Sequence, residues 1–308
     1  MAVTTDPFVQ ADLTASIPAI WTDIINEANF PEFVLQDFVQ DLSEYVPEGG
    51  RVLHVPNIFT NLFTVQSQST QGAEITTAGP AQVDVTLTIN THKYVAWIIG
   101  DADLVQVATK YAINEKYARE AARLLKQDLE DALFALYSSL TPTAIGTGAA
   151  AIADLDVRQA IRTLATANFN LEECAFFFHP QVYFDQLIGL SKISPNYASN
   201  MNTVATGTLF KGGSLSKERA MGLLYGMPVY VSSRVATVTT TCKNLFLHKS
   251  AFGYAIQGVS GGQKVRVQME NQLRNLGMLA IVDIRYGVAA LRVDAGVLLN
   301  MLTAGSVA

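Results

Sequence analysis

The chain has 308 residues, of which 49% are apolar and only 16% charged, with a net charge of −6 and two cysteines. A chain this long buries roughly three quarters of the surface its unfolded form exposes and needs no staples. Its charge density, well under the ~25% of an average soluble domain, leaves two classes: a membrane protein, or a protein whose surface is largely covered by partners.

The membrane class fails on run length. A spanning helix takes about 20 mostly apolar residues, and the best local runs, Cys174 to Phe178 and Met278 to Val282, are short. Asn275 to Leu299 is interrupted by Asp283, Arg285, Arg292 and Asp294. The N-terminus shows no positive region followed by an apolar core, so no signal peptide is expected. Cys174 and Cys242 make no disulfide framework, and a reducing compartment is the simpler setting. The acidic balance also excludes a protein that grips nucleic acid, which needs clustered Lys and Arg.

In chain order, Ile17, Ile20, Trp21, Ile24 and Ile25 fall at helical spacing after the caps Thr14 and Ser16. Asn29-Phe30-Pro31 breaks that pattern, and Phe33 to Tyr45 reads as a second amphipathic piece. Pro47-Glu48-Gly49-Gly50 is a turn before a short strand, Arg51 to Pro56. Asn57 to Thr91 is a polar excursion without Lys or Arg, rich in Gln, Ser, Thr, Gly and Ala. It closes on Val83, Val85, Leu87 and Ile89, which alternate with polar residues as in a half-buried strand. Leu62 to Gln68 is the expected antiparallel partner, leaving Ser69 to Pro80 as the tip.

Asp101 to Leu140 reads as one long helix: Leu104, Val107, Tyr111, Ala118, Leu125, Leu129 and Leu136 form an apolar stripe. Glu115–Arg119, Lys116–Glu120 and Lys126–Glu130 sit at i,i+4, each supporting a helix by roughly 0.2–0.5 kcal/mol. Thr141 to Ala151 reads as a linker or loop, Leu155 to Ala167 as a helix, Cys174 to Phe178 as a buried strand and Pro180 to Leu190 as a short helix. Ser191 to Gly213 is loop. Strands are then expected at Met227 to Ser232, Asn244 to His248, Tyr254 to Gln257 and Lys264 to Met269, and Met278 to Ile284, Val288 to Val293 and Val297 to Leu302 read as strands or as strands with a helical interruption.

Chemical motifs are weak. Gly258-Val259-Ser260-Gly261-Gly262 matches the G-x-S-x-G nucleophile elbow, but that turn needs a helix after it. The strand-like alternation of Lys264 to Met269 instead reads as a Gly-rich hairpin. Cys174 and His179 suggest a nucleophile pair, yet Cys174 opens an apolar strand, where a thiol is a small hydrophobe. His54, His92, His179 and His248 show no metal-ligand spacing. Gly207 to Ser214 imitates a phosphate loop but has Gly213 where the Lys must stand. No catalytic, cofactor-binding or metal-binding residue is expected, and no cofactor.

The order of elements resembles the major capsid protein of tailed bacteriophages, the Hong Kong 97-type fold shared with encapsulins and herpesvirus capsid floors. The likeness rests on Arg51-Val52-Leu53-His54-Val55-Pro56, on Lys93-Tyr94-Val95-Ala96-Trp97-Ile98-Ile99 before Asp101, and on Asp128-Leu129-Glu130-Asp131-Ala132-Leu133. Gly222-Leu223-Leu224-Tyr225-Gly226-Met227-Pro228-Val229-Tyr230 resembles the family's G-x-P-V strand, and Arg285-Tyr286-Gly287 followed by Arg292-Val293-Asp294 is also similar.

The resemblance implies an α+β protein: an N-terminal arm (1–50), a peripheral strand and extended β-loop (51–100), a spine helix (101–140), an axial domain (141–263) and returning strands (264–308). It implies a non-enzymatic subunit that assembles through five- and six-fold rings into an icosahedral shell around viral DNA, located in the virion and assembled in the host cytoplasm. Expected partners are copies of itself, a separate scaffolding protein (or a segment already removed), a portal and a decoration protein, with no sequence-specific nucleic-acid binding and no membrane. Candidate subunit-interface residues are Trp21, Phe30, Gln68, Gln71, Gly72, Glu74, Gly79 and Pro80. Some relatives weld the shell with a Lys on the extended loop; Lys93, at its base, is the first Lys here, so no such cross-link is expected. The alternatives are an encapsulin-like compartment shell and, from another class, a soluble hydrolase using Ser260.

Overall fold

The computed structural model describes residues 33–46, 50–57, 65, 83–100, 113–187, 222–258, 265–272 and 277–303. Its longest described helix, α2 (Ile113–Ala135), continues into a 3-10 turn, Leu136–Ser139. Ala121, Leu125, Leu129 and Leu133 form its buried stripe. Successive spacings of four keep them on one face of a helix with 3.6 residues per turn. Among the described residues, no helix is long and apolar enough to cross a membrane.

That stripe meets two sheets. In the first, β12 (Gly277–Ala290) pairs with β4 (Thr91–Gly100), β10 (Phe252–Ile256) and β11 (Arg266–Gln272), and β1 (Gln40–Asp41) joins β10 in parallel. Tyr286 faces Ile256 on one side and Thr91 on the other, and Asp283 faces Arg266 and Tyr94 in the same way. A strand has two edges, so β10 and β11 lie end to end along the edge opposite β4. The two strands therefore pair with β12 and not with each other, and the expected hairpin is not formed.

The second sheet runs β13 (Gly296–Leu302), β9 (Thr241–His248), β5 (Cys174–Phe178), β7 (Met227–Val231), β6 (Gly222–Leu224), with β8 (Thr237–Val238) also on β9. Every residue of β5 is buried. Alternation splits it between two cores: Cys174, Phe176 and Phe178 face the helix α3 (Asp154–Thr166), and Ala175 and Phe177 face α2. Phe177 stacks on Tyr230 at 5.4 Å and meets Phe134 edge-on at 6.3 Å. The helix α3 starts where Asp156 Oδ2 accepts the Ala153 N–H (2.8 Å). It ends at Asn168, whose φ of 60° is the left-handed conformation a helix stop takes.

Several sequence expectations change. Phe33 to Tyr45 is not one helix: it divides into α1 (Leu35–Phe38), β1 and a 3-10 turn, Ser43–Tyr45, because pairing with β10 recruits Gln40–Asp41. Thr141 to Ala151 is no free linker: the Ile145 N–H donates to the Leu298 carbonyl (2.8 Å) and the Gly148 N–H to that of Asn300 (2.9 Å), lining the β13 edge. Val182–Leu187 is a π-helical turn. Met278 to Ile284 and Val288 to Ala290 belong to one continuous strand, β12, and Leu291 to Val293 lie beyond its end.

Candidate assembly surfaces

A two-stranded ribbon stands off the first sheet. Its strands are β2 (Val52–Asn57) and β3 (Val83–Thr88), and Asn57 faces Val83, so residues 58–82 leave and return at one point. The described partner of β3 is Val52–Asn57; Leu62 to Gln68, the expected partner, lies outside the described residues except for Val65. The ribbon is rooted by shape. Leu87 and Ile89 are buried with Ala255, against Leu42, Val46, Leu53 and Ala289. Gly287 of β12 lets the ribbon backbone lie flat, because a Cβ there would stand 2.3 Å from the Thr88 carbonyl oxygen. Above the root, Val52, His54, Asp84, Thr86 and Thr88 are exposed.

The sheet beneath has two unlike faces. Val282, Ile284 and Tyr286 point to α2, and Tyr286 Oη donates to Asp128 Oδ2 (2.5 Å). On the outer face, register sets Tyr94 beside Asp283, Ala96 beside Ile281 and Ile98 beside Leu279. Residues directly opposite in an antiparallel pair share a face. Tyr94 is 67% exposed and Ile98 45%. A strand apolar on both faces, as Tyr94 to Ile99 is, has the pattern of one covered on both sides. Here a single chain covers one.

Within this bare face Asp283 is buried and ionised. Arg266 Nε and Nη2 donate to its two oxygens (2.8 and 3.0 Å), and His92 Nε2 lies 2.9 Å from Oδ2. Burial works to raise its pKa, but the bonds from Arg266 and His92 outweigh it and hold the carboxyl below its ordinary value. The three residues come from β11, β12 and β4, so one carboxylate ties the width of the sheet.

A second buried carboxylate ties the arm. Glu130 Oε1 accepts the N–H groups of Val34 (3.1 Å) and Leu35 (3.0 Å), and Oε2 that of Gln36 (3.3 Å). Burial pushes its pKa up, against the lowering effect of those bonds. At the junction of the two sheets, His248 Nδ1 accepts from the Ser250 N–H (3.2 Å), and its Nε2 lies 3.3 Å from Glu173 Oε2. Burial lowers the His248 pKa, with Glu173 opposing.

The candidate nucleophile pair does not assemble. Burial, with Glu173 adding, pushes the Cys174 thiol up to about 12, and its Sγ donates to the Asn170 carbonyl (3.4 Å). The His179 N–H donates to Asn244 Oδ1 (2.8 Å), and its Nδ1 accepts from the Gln181 N–H (3.3 Å). Ser260 lies outside the described residues, but the element after it is β11, a strand, where an elbow requires a helix. Trp21, Phe30, Gln68, Gln71, Gly72, Glu74, Gly79 and Pro80 all lie outside the described residues. Tyr94 and Ile98 were missed as interface candidates, although the two-sided apolarity of their strand was a signal.

No family model matches the sequence, and no curated protein matches it. Solved structures do. One from Mycobacterium phage Che8 matches with a TM-score of 0.70 at 19% identity, over 92% of this chain and 96% of that one. The mature capsid of bacteriophage PhiM1 matches at 0.66 and 14% identity, over 92% of each chain. The holo-SrpI encapsulin complex from Synechococcus elongatus matches at 0.64 and 14% identity, over 98% of this chain and 99% of that one. The likeness is one of fold, and it spans nearly the whole chain. The architecture is the mixed helix-and-sheet Hong Kong 97-type capsid fold.

Proposed function

We propose that the chain is a major capsid protein of a tailed bacteriophage, a non-enzymatic subunit that closes with copies of itself into an icosahedral shell of pentamers and hexamers around viral DNA. The observation that carries this reading is the bare apolar face at Tyr94, Ala96 and Ile98 beside a ribbon that projects from the sheet. Exposed apolar patches of this kind mark contact surfaces, and the same fold builds the PhiM1 capsid. Gln68, Gln71, Gly72, Glu74, Gly79 and Pro80 would lie on a neighbouring subunit, with Trp21 and Phe30 in contacts of the arm. Residues 101–140 would be the peripheral spine, 141–263 the axial domain meeting at ring centres, and 264–308 the returning strands. A separate scaffolding protein, a portal and a decoration protein complete the expected set, in a virion assembled in the host cytoplasm.

The purified chain, imaged by negative-stain electron microscopy beside a sedimentation-velocity run with and without co-expressed scaffold, is expected to form closed shells or rings of five and six. Deleting residues 69–80 should leave folding intact and abolish assembly. A homogeneous monomer under both conditions would sink the proposal. The match to the encapsulin complex favours one second reading, a compartment shell with protein cargo. Under that reading the shell assembles alone in a foreign host and captures a tagged cargo peptide.

A further inference from the structure

Two crossings of the chain between the sheets run side by side. From β9 to β10 it passes through the turn His248–Ala251, closed where the Ala251 N–H donates to the His248 carbonyl (2.9 Å). From β12 to β13 it passes through Leu291–Ala295. The crossings are bonded to each other. The Ala251 carbonyl accepts the N–H groups of Leu291 (2.9 Å) and Arg292 (3.1 Å), and the His248 N–H donates to the Ala295 carbonyl (2.9 Å). Whatever opens the turn therefore pulls on the second crossing. The His248 imidazole sits in this seam and is 8% exposed. Its Nδ1 lies 3.2 Å from the Ser250 backbone nitrogen and 2.8 Å from Ser250 Oγ. A backbone N–H can only donate, so Nδ1 keeps its lone pair there and Nε2 carries the ring proton toward Glu173 Oε2 (3.3 Å). Lys249 Nζ holds the other oxygen of Glu173 (2.7 Å). The ring lies 5.4 Å from that of Phe169, and the Arg292 guanidinium, itself bonded to Asp294, lies over Phe169 at 4.4 Å.

We propose that His248 is a pH-sensitive clasp between the two sheets: neutral, its Nδ1 closes the turn that carries the chain across, and protonated, it opens that turn and loosens the crossing beside it. The added proton goes to Nδ1, where it faces the Ser250 N–H. The Ser250 hydroxyl can rotate to accept it, but the backbone N–H cannot, and a buried donor is left without an acceptor. Opening the turn relieves this, and the Ala251 carbonyl passes the movement to Leu291 and Arg292. Burial lowers the His248 pKa, with Glu173 opposing and Arg292 and Lys249 adding. The neutral ring's contribution is therefore full above the ordinary value of 6.5 and is lost as pH falls through the depressed one. The bond from Lys249 holds the Glu173 carboxyl below its ordinary value, so Glu173 stays ionised while the ring titrates. The clasp goes beyond the shell reading and does not depend on it, since every group in it belongs to one chain.

Hydrogen exchange on the full chain, compared as protection factors from about pH 8 to 5, tests it. Amides 249–252 and 291–295 are expected to lose roughly tenfold or more of their protection over that range, while amides 157–164 of α3 keep theirs. His248→Asn retains an oxygen that can accept the Ser250 N–H, as an Asx turn does, but takes no proton, so both segments should stay protected throughout. His248→Phe removes the acceptor, and both segments should be open at either end of the range with α3 still protected. Exchange of the imidazole C2 hydrogen, read by mass spectrometry on the peptide that carries His248, should place its pKa below the ordinary 6.5. A pKa at or above that value, a parent whose two segments show no fall, or an Asn variant that falls as the parent does, overturns the proposal.

Discussion

In the second sheet, β5 is buried on both faces and its phenylalanines pack into two cores, with Phe176 against Phe246 at 4.2 Å. In the first sheet, β4 and β12 also carry apolar side chains on both faces; the face toward α2 is covered, and away from it the ribbon covers β12 at Gly287 while Tyr94 and Ile98 stay exposed. The two regions share a sequence pattern and differ in what completes them. The second sheet takes its cover from α3 and α2, which belong to the same chain. The first holds its outer face together with a polar tie, Arg266–Asp283–His92, that needs no apolar cover. Such a tie joins β4, β11 and β12 through one carboxylate, so the sheet holds together across its width without apolar cover at that point.

The comparison breaks most readily at the second sheet. Phe176→Ala should cost about 3–5 kcal/mol of unfolding free energy, the usual range for a buried aromatic truncated to Ala. Denaturant melts of the purified subunit measure it. A loss under ~1 kcal/mol would mean that the double core is not the source of stability. Next is the arm anchor. Glu130→Ala leaves the buried N–H groups of Val34 and Leu35 without their acceptor, a cost of roughly 1–3 kcal/mol. Proteolysis of residues 33–38 should accelerate before the body unfolds.

Acid separates the two buried carboxylates by sign. Asp283 has a depressed pKa in the folded chain, so its contribution is full above the ordinary value of 3.8 and is lost as pH falls through the depressed one. Thermal melts should show an acid-dependent loss below about pH 4 that Asp283→Asn lacks. Glu130 has a raised pKa, so its contribution is full below the ordinary value of 4.5 and is lost as pH rises through the folded one. Acid that loosens the sheet tie should therefore leave α1 docked, which hydrogen exchange at residues 34–38 resolves. The smallest effect on the isolated subunit is at the bare face. Ile98→Ser and Tyr94→Ser should shift its stability by under about 0.5 kcal/mol while sharply reducing assembly. Shells that form normally with both substitutions would show that this face is not an interface.

What was legible in the sequence depended on whether a segment's fate was local. The strand Cys174–Phe178 was read with its true ends, because an apolar run between polar neighbours has one place to go. The helix Asp154–Thr166 was read within a residue at each end, since its acidic first turn and terminal Asn168 are local signals. The continuity of β12 was missed because it rests on partners distant in sequence: Arg266 and His92 hold Asp283, and Ile256 and Thr91 flank Tyr286. The proposed interface residues of the ribbon tip and arm were chosen by composition, and all of them fall outside the described residues.

By itself the sequence determined periodicity, run length, charge density and the order of elements. These follow from each residue's own preference for water, and they sufficed for the α+β class and the resemblance. Tertiary structure alone decided which strands share an edge, which face of the first sheet stays bare, and which carboxylates are buried. Those depend on partners many residues away. Asp283 and Glu130 are, in sequence, two acids among 27 Asp and Glu. Only the closing of β4, β11 and α1 around them makes one a tie and the other an anchor.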